Sequence, residues 1–323
     1  MVATRNRLPA DLVERVGECL TPRVPADIPL WVGLSGGCDS VVLLHVLTRL
    51  GVGARLSAIH VHHGLSPNAD QWVRFCSEYC AGLRVPLQVC HVDVNRASGG
   101  GIEAAAREAR YAAFTDYVDG HLLLAHHRGD QAETVLFNLL RGCGVAGAAG
   151  MPVERRFGRH SLIRPMLGIS RQEIENYART MGLRWIDDES NGDLSLTRNF
   201  LRHEALGAVR QRFPAAESSL AQAAVNFGEA VELVNDLAHL DWQQVSDGDT
   251  ACLAELRMLS DSRLKNLLRY RLHQLGWLAP VATRLDEFVR QIRVAGPDRH
   301  PELVLPDGTM RVAKRRLCWV KEN

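Results

Sequence analysis

Pro29-Leu30-Trp31-Val32-Gly33-Leu34-Ser35-Gly36-Gly37-Cys38-Asp39-Ser40 is the stretch on which the fold turns. Its first six residues are an apolar run of strand length, and residues 41–50 carry helical apolar spacing. A buried strand therefore feeds a glycine turn that opens a helix. The N-terminus of a helix offers unpaired N–H groups and partial positive charge, and two glycines without Cβ let the backbone approach an anion, so the turn reads as a phosphate cradle. The spacing narrows its kind. A Walker A loop needs Gly-x-x-x-x-Gly-Lys-Ser/Thr and a dinucleotide turn needs Gly-x-Gly-x-x-Gly; neither is present. The plain alternative is an ordinary glycine-rich turn, against which stand two hydroxyls, two glycines and an acid at one junction.

Outward from this unit the alternation continues. Residues 56–62, 87–92 and 121–125 read as strands, and residues 70–83 and 103–118 as helices. That order predicts an α/β fold, a Rossmann-like parallel sheet with helices on both faces, whose ligands bind at the carboxyl ends of the strands. Leu34-Ser35, His62-His63 and Ala125-His126-His127 all fall at such ends and are expected around one crevice. After Gly150 the pattern changes: Arg164-Pro165 breaks the chain, Ser170 is placed to cap a helix over 171–181, and residues 185–191 form an acidic, irregular stretch. Helices are expected over 199–212, 215–245, 260–275 and 281–295. Residues 302–305 and 310–320 form a hairpin around Pro306-Asp307-Gly308-Thr309. Phe213-Pro214 is the expected boundary, giving a catalytic domain over 1–213 and a smaller, mainly helical domain over 214–323.

The chain has 323 residues, 46% hydrophobic and 23% charged, which describes a globular protein of about two domains. Net charge is +1, so any nucleic-acid surface must be a local patch. Lys occurs only at Lys265, Lys314 and Lys321, and Arg supplies the other basic residues, a skew that suits phosphate recognition but also follows from codon bias. Eight cysteines without a Cys-x-x-Cys pair suggest neither a zinc site nor a disulfide framework, and no stretch reaches transmembrane length. A reduced cytoplasmic home is the expectation.

Ser-Gly-Gly-x-Asp-Ser resembles the loop of the ATP pyrophosphatases (the PP-loop, or adenine nucleotide alpha hydrolase-like, fold), which split ATP between its α and β phosphates. Five further clusters stand in an order that resembles one branch, the tRNA(Ile)-lysidine synthetases. The first is Ile59-His60-Val61-His62-His63-Gly64-Leu65 with Ala69-Asp70. Gly101-Ile102-Glu103-Ala104-Ala105-Ala106-Arg107 follows with Arg110-Tyr111, then Ala125-His126-His127 with Asp130-Gln131-Ala132-Glu133-Thr134. Leu139-Leu140-Arg141-Gly142 with Gly147, and Asp187-Asp188-Glu189-Ser190-Asn191 with Arg198-Asn199 and Arg202, complete the set. Six clusters in register cover most of residues 29–210.

The resemblance implies ATP and Mg²⁺, free lysine and a CAU-anticodon tRNA(Ile) as partners, with lysine joined to C2 of the wobble cytidine through an adenylated tRNA. Ser35, Gly36, Gly37, Cys38, Asp39 and Ser40, with His62 and His126, are then the ATP-binding residues. Asp39, Asp130, Glu133 and Arg107 are the catalytic ones, Asp39 and Asp130 being the metal ligands. Arg110, Arg141, Asp188, Asn191, Arg198 and Arg202 are assigned to tRNA or lysine. Each cluster also has a plainer reading: a packed imidazole at His62 or His63, a solvated helix pairing Glu103 with Arg107, dipole-stabilising acids at Asp130 and Glu133, an acidic surface loop at 187–189. The family pattern often carries a polar residue just before Asp130, where this chain has Gly129. The basic run Arg311-Val312-Ala313-Lys314-Arg315-Arg316 is either a solvated strand face or a phosphate-binding patch. Longer members carry a further C-terminal domain, so the expectation is that the helical domain here holds more of the RNA. A homodimer is compatible with the sequence. The alternatives are a cytidine thiolase of the same superfamily, which needs cysteine pairs, an amide-forming synthetase, and a non-catalytic nucleotide-binding module.

Overall fold

The computed structural model describes residues 9–94, 101–187, 192, 197–296 and 299–321. The chain divides into two compact units, Met1–Phe227 and Gly228–Asn323.

In the first unit, helix α1 (Pro9–Leu20) precedes β1 (Leu30–Gly33), α2 (Cys38–Arg49), β2 (Leu56–His62), α3 (Ala69–Leu83), β3 (Leu87–His91), α4 (Ile102–Tyr117), β4 (His121–Leu123) and α5 (Arg128–Leu140). Then come the short α6 (Val145–Ala148), a hairpin of β5 (Glu154–Phe157) and β6 (His160–Ile163), α7 (Arg171–Thr180), α8 (Thr197–Phe200), a π-helical turn over Leu201–Ala205 and α9 (Leu206–Arg212). The sheet order is β3-β2-β1-β4-β6-β5, all parallel except the edge strand β5. Strand β1 is central, with Leu30 opposite both Leu56 and His121. Alternation along the strands builds two cores. Leu30, Val32, Leu56, Ala58 and Leu123 meet the apolar faces of α1, α2, α3 and α7, whereas Ile59, Leu122, Leu124 and Leu162 meet Ala113 and Phe114 of α4. Each fully buried Leu or Val contributes roughly 1.5–3 kcal/mol. Every predicted strand and helix of this sheet forms, within one to three residues at the ends, the largest shift being α2, which starts at Cys38 rather than Val41.

The β5-β6 hairpin was not expected. Strand β5 is Glu-Arg-Arg-Phe and lies almost wholly exposed at the sheet edge, so no apolar alternation marks it; its charges keep an open edge from pairing with another chain.

Helix α10 (Ala216–Val245) contains the division between the units. Phe213 ends α9 as expected, but the compact units meet at Phe227/Gly228. The early turns of α10 stay with the first unit: Glu217 is ion-paired to Arg210, and Ala216 and Ala224 are buried. The second unit holds β7 (Ser246–Asp247), β8 (Thr250–Cys252), α11 (Leu253–Met258), α12 (Asp261–Leu275), α13 (Ala282–Val294), β9 (Glu302–Leu305), β10 (Gly308–Ala313) and β11 (Arg316–Val320). Its core joins Leu264, Leu268, Phe288 and Ile292 to Met310 and Leu317 of an antiparallel sheet ordered β7-β8-β11-β10-β9. The expected hairpin is thus part of five strands. Lys314 and Arg315, at φ 47° and 63°, fold the supposed single strand 310–320 back on itself as a two-residue turn pairing Ala313 with Arg316. Such turns prefer Asn-Gly, and Lys-Arg gave no signal. The basic run is therefore a turn and its flanks rather than one strand face.

Candidate active site at the carboxyl ends of the central strands

Strand β1 ends at Gly33, and α2 begins at Cys38 with Gly37 as its N-cap and no side-chain cap, leaving its first-turn N–H groups free for a ligand. Gly36 sits at φ +90°, a conformation that calls for glycine, and a Cβ there would also press on the tip of Ile186 at 2.8 Å. Two hydroxyls staple the loop. Ser35 Oγ accepts from Gly37 N at 3.2 Å, and Ser40 Oγ accepts from Ser35 N at 3.2 Å and donates to the Gly37 carbonyl at 2.9 Å. From the neighbouring strand, the buried His60 donates from Nδ1 to the Leu34 carbonyl at 2.8 Å, and Ile186 N donates to the Gly36 carbonyl at 2.9 Å. The cradle is thus held on both sides before any anion arrives.

The acids come from the next unit over. His127 caps α5: its Nδ1 accepts from Gly129 N (3.0 Å) and Asp130 N (3.4 Å), while Asp130 Oδ2 accepts from His127 N at 2.8 Å. With Nδ1 accepting, the ring proton resides on Nε2, which lies 3.7 Å from Asp130 Oδ2 and 4.0 Å from Asp39 Oδ2. Asp39 and Asp130 therefore flank one imidazole N–H. Two arginines complete the cluster. Arg202 forks onto Glu133 at 2.6 and 3.0 Å and reaches Asp130 Oδ1 at 3.1 Å, and Arg171 bridges Asp39 and Glu175.

The three carboxylates differ electrostatically. Burial raises the pKa of Asp39 against the pull of His127 and Arg171, and burial likewise raises that of Glu133 against Arg202. Burial also acts on Asp130, but His127, His126, the His127 backbone N–H and Arg202 outweigh it and hold the carboxyl below its usual range. Asp130 is thus the firmest anion of the three. Asp39 and Asp130 are oxygen donors on one crevice, the set that suits Mg²⁺, which takes one or two carboxylates and completes its shell with phosphate oxygens and water. Among the described residues no group of three or more His, Cys, Asp or Glu is arranged as a ready-made metal cage.

The predicted residues 35–40, Asp130, Glu133 and Arg202 come together here. His62 caps β2 beside Asp70 (3.1 Å) and the His91 ring (4.6 Å between centroids), and lines a cleft of about 460 Å³ with His63, Gly64 and Leu65. His126 lies close enough to Asp130 to feel its charge but makes no hydrogen bond through Nδ1, which is buried without a partner; burial outweighs the carboxylate and pushes the His126 pKa down to about 3. Arg107 lies 4.9 Å from the Tyr111 ring centroid and does not pair with Glu103, which meets Arg198 at 3.5 Å. Arg110 lies beside Arg107 and Arg198. Arg141 stacks on Phe137 past the far end of α5, about 16 Å along the axis from Asp130, so it does not join the cluster. Asp188 and Asn191 lie outside the described residues. Sequence reasoning missed Arg171, whose only signal was its place after a capping serine, and gave no role to His127, one residue from His126, or to His60, two residues from His62.

A description of the PP-loop domain matches residues 11–209, and one of the TilS substrate binding domain matches residues 252–318. The tRNA(Ile)-lysidine synthase of Aromatoleum aromaticum is 47% identical over 87% of this chain and 65% of its own length, and that of Pseudomonas fluorescens 41% over 93% and 72%. The chain belongs to the tRNA(Ile)-lysidine synthase family. The synthase of Nitrosomonas europaea adds 40% identity over 93% of this chain and 67% of its own. The chain spans about two thirds of the length of these relatives. Among solved structures, the U34-tRNA thiolase NcsA of Methanococcus maripaludis, with its [4Fe-4S] cluster, superposes with a TM-score of 0.55 at 16% identity. It covers 68% of this chain and 78% of that one, and shares the PP-loop fold of the synthase family.

Proposed function

We propose that this chain joins lysine to C2 of the wobble cytidine of a CAU-anticodon tRNA(Ile), consuming ATP and releasing pyrophosphate and AMP. The observation that carries the reading is the stapled 35–40 loop opening α2, with its Asp39 and the neighbouring Asp130 on either side of the His127 Nε2, in a chain of this family. The C2 oxygen of cytosine leaves poorly, and transfer of AMP to it makes it a good leaving group for an attacking amine. The first-turn N–H groups of α2 and the Ser35 hydroxyl seat the β and γ phosphates, on a loop that the Ser40 hydroxyl holds in shape, so the α phosphorus faces the incoming oxygen. Asp39 and Asp130 would hold Mg²⁺, which would supply positive charge to the departing pyrophosphate. His127 Nε2–H keeps both carboxylates oriented, and Arg171 and Arg202 balance their charge while the crevice is open. The anticodon base must leave its stack to reach this crevice.

The two thiols beside the phosphate loop do not support a thiolase reading. Burial raises the pKa of Cys38 to about 11 and that of Cys76 to about 12, so both stay protonated and weakly nucleophilic. No helix among the described residues is long and apolar enough to cross a membrane, and we assign the enzyme to the cytoplasm, where its RNA and ATP are found. The test is incubation of the chain with ATP, labelled lysine and a CAU-anticodon tRNA(Ile) transcript, repeated with uridine at the wobble position. Label in the first RNA alone is expected; label in both, or no pyrophosphate release in either, overturns the assignment.

A further inference from the structure

Across β4 from the phosphate loop lies a cluster of arginines around one tyrosine that the steps above leave unused. Arg164, at the end of β6, is only 3% exposed; one guanidinium nitrogen donates to the Pro152 carbonyl at 2.7 Å, and its Nε is buried without a partner. Arg155 of β5 and Arg107 of α4 both lie against the Tyr111 ring, at 5.2 and 4.9 Å from its centroid. Burial acts to raise the pKa of the Tyr111 hydroxyl, but the Arg107, Arg155 and Arg164 guanidinium groups it lies against outweigh it and lower that pKa, and His126 Nδ1 nearby is buried without a partner. Among the described residues no carboxylate is ion-paired to Arg107, Arg155 or Arg164.

A guanidinium as buried as that of Arg164, with no carboxylate paired to it and its Nε unpartnered, is a costly arrangement unless an anion completes it. We propose that Arg107, Arg155, Arg164 and Tyr111 form a second phosphate seat, which takes a phosphodiester of the RNA beside the reacting cytidine. This rests on the function proposed above. Strand β6 is two strand spacings, about 10 Å, from β1, so the seat is separate from the cradle that holds the β and γ phosphates. Arg107 and Arg155 are exposed at its rim, open to a macromolecule, and the planar Arg fork matches two phosphate oxygens at once. The phosphate of AMP offers the same chemistry, and the experiment separates the two.

Binding of the full chain to a CAU anticodon stem-loop is measured by fluorescence anisotropy between about 50 and about 200 mM KCl. The wild type is compared with Arg155→Gln and Arg156→Gln. Both variants lose one charge from an exposed edge strand that alternates faces, and only Arg155 points toward Tyr111. R155Q is expected to weaken RNA binding about tenfold at the low-salt end and to reduce the steepness of log K against log salt by about 0.7 to 0.9, with R156Q unchanged. Equal losses in both variants would indicate a diffuse field and overturn the seat. Affinity for a fluorescent ATP analogue is followed in parallel: a loss there, with RNA binding intact, would give the seat to the nucleotide and overturn the RNA assignment. Labelled-lysine transfer by the wild type runs alongside, so a failed reaction is told apart from a failed seat.

Discussion

Asp39 is held between a guanidinium and an imidazole N–H, yet burial still disfavours its charge. Such a carboxylate is kept for what it does to a ligand rather than for stability. Asp39→Asn is therefore expected to leave the thermal midpoint unchanged or slightly raised, while pyrophosphate release falls about 10²-fold or more. A variant releasing pyrophosphate at the wild-type rate would remove Asp39 from the reaction. The glycines, hydroxyls and acid of this loop were legible in the sequence because each answers to local backbone geometry. Arg171 was not, because its partner lies on another element and only the packing of α7 against α2 brings the two together. His126 and His127 could not be ranked from sequence for the same reason: which imidazole faces the acids depends on the turn that makes His127 the cap.

At the scale of the element, α7 carries Arg171 at its first position, so its N-terminus must be fixed. Ser170 and Glu173 fix it by a reciprocal capping box, Ser170 N donating to Glu173 Oε2 at 2.8 Å and Glu173 N to Ser170 Oγ at 3.3 Å, with Arg15 of α1 on Glu173 at 2.7 Å. Ser170→Ala should cost about 1 kcal/mol, seen as a lower urea midpoint at unchanged slope. An unmoved midpoint would mean that packing alone holds the helix. This cap was legible from the serine and the glutamate three residues on. The strands of the parallel sheet were legible too, since burial on both faces writes them as apolar runs. Strand β5 and the turn at Lys314-Arg315 were not: an exposed edge needs no apolar pattern, and tertiary pairing imposed two positive φ values on residues without turn propensity.

At the scale of the whole molecule, buried imidazoles tie stability to acidity. Burial first, with nearby Arg110 second, pushes the pKa of His63 down to about 4, and burial pushes that of His126 down to about 3. The unfolded chain takes up these protons near pH 6.5 and the folded one does not, so between about pH 6.5 and 4 unfolding binds protons and stability falls as pH falls, by up to about 1.4 kcal/mol per pH unit for each histidine. Asp39 and Glu133, raised by burial, act in the opposite sense: they bind protons more readily folded than unfolded and return part of the loss as the medium acidifies. The net profile therefore depends on which set is larger. His126→Gln removes one depressed imidazole and should flatten the acid limb of stability against pH, whereas Glu133→Gln removes an opposing carboxyl and should steepen it. Urea midpoints of the three proteins from about pH 7 to 4.5 read this directly. Superimposable curves for wild type and H126Q would show that the His126 proton does not couple to folding.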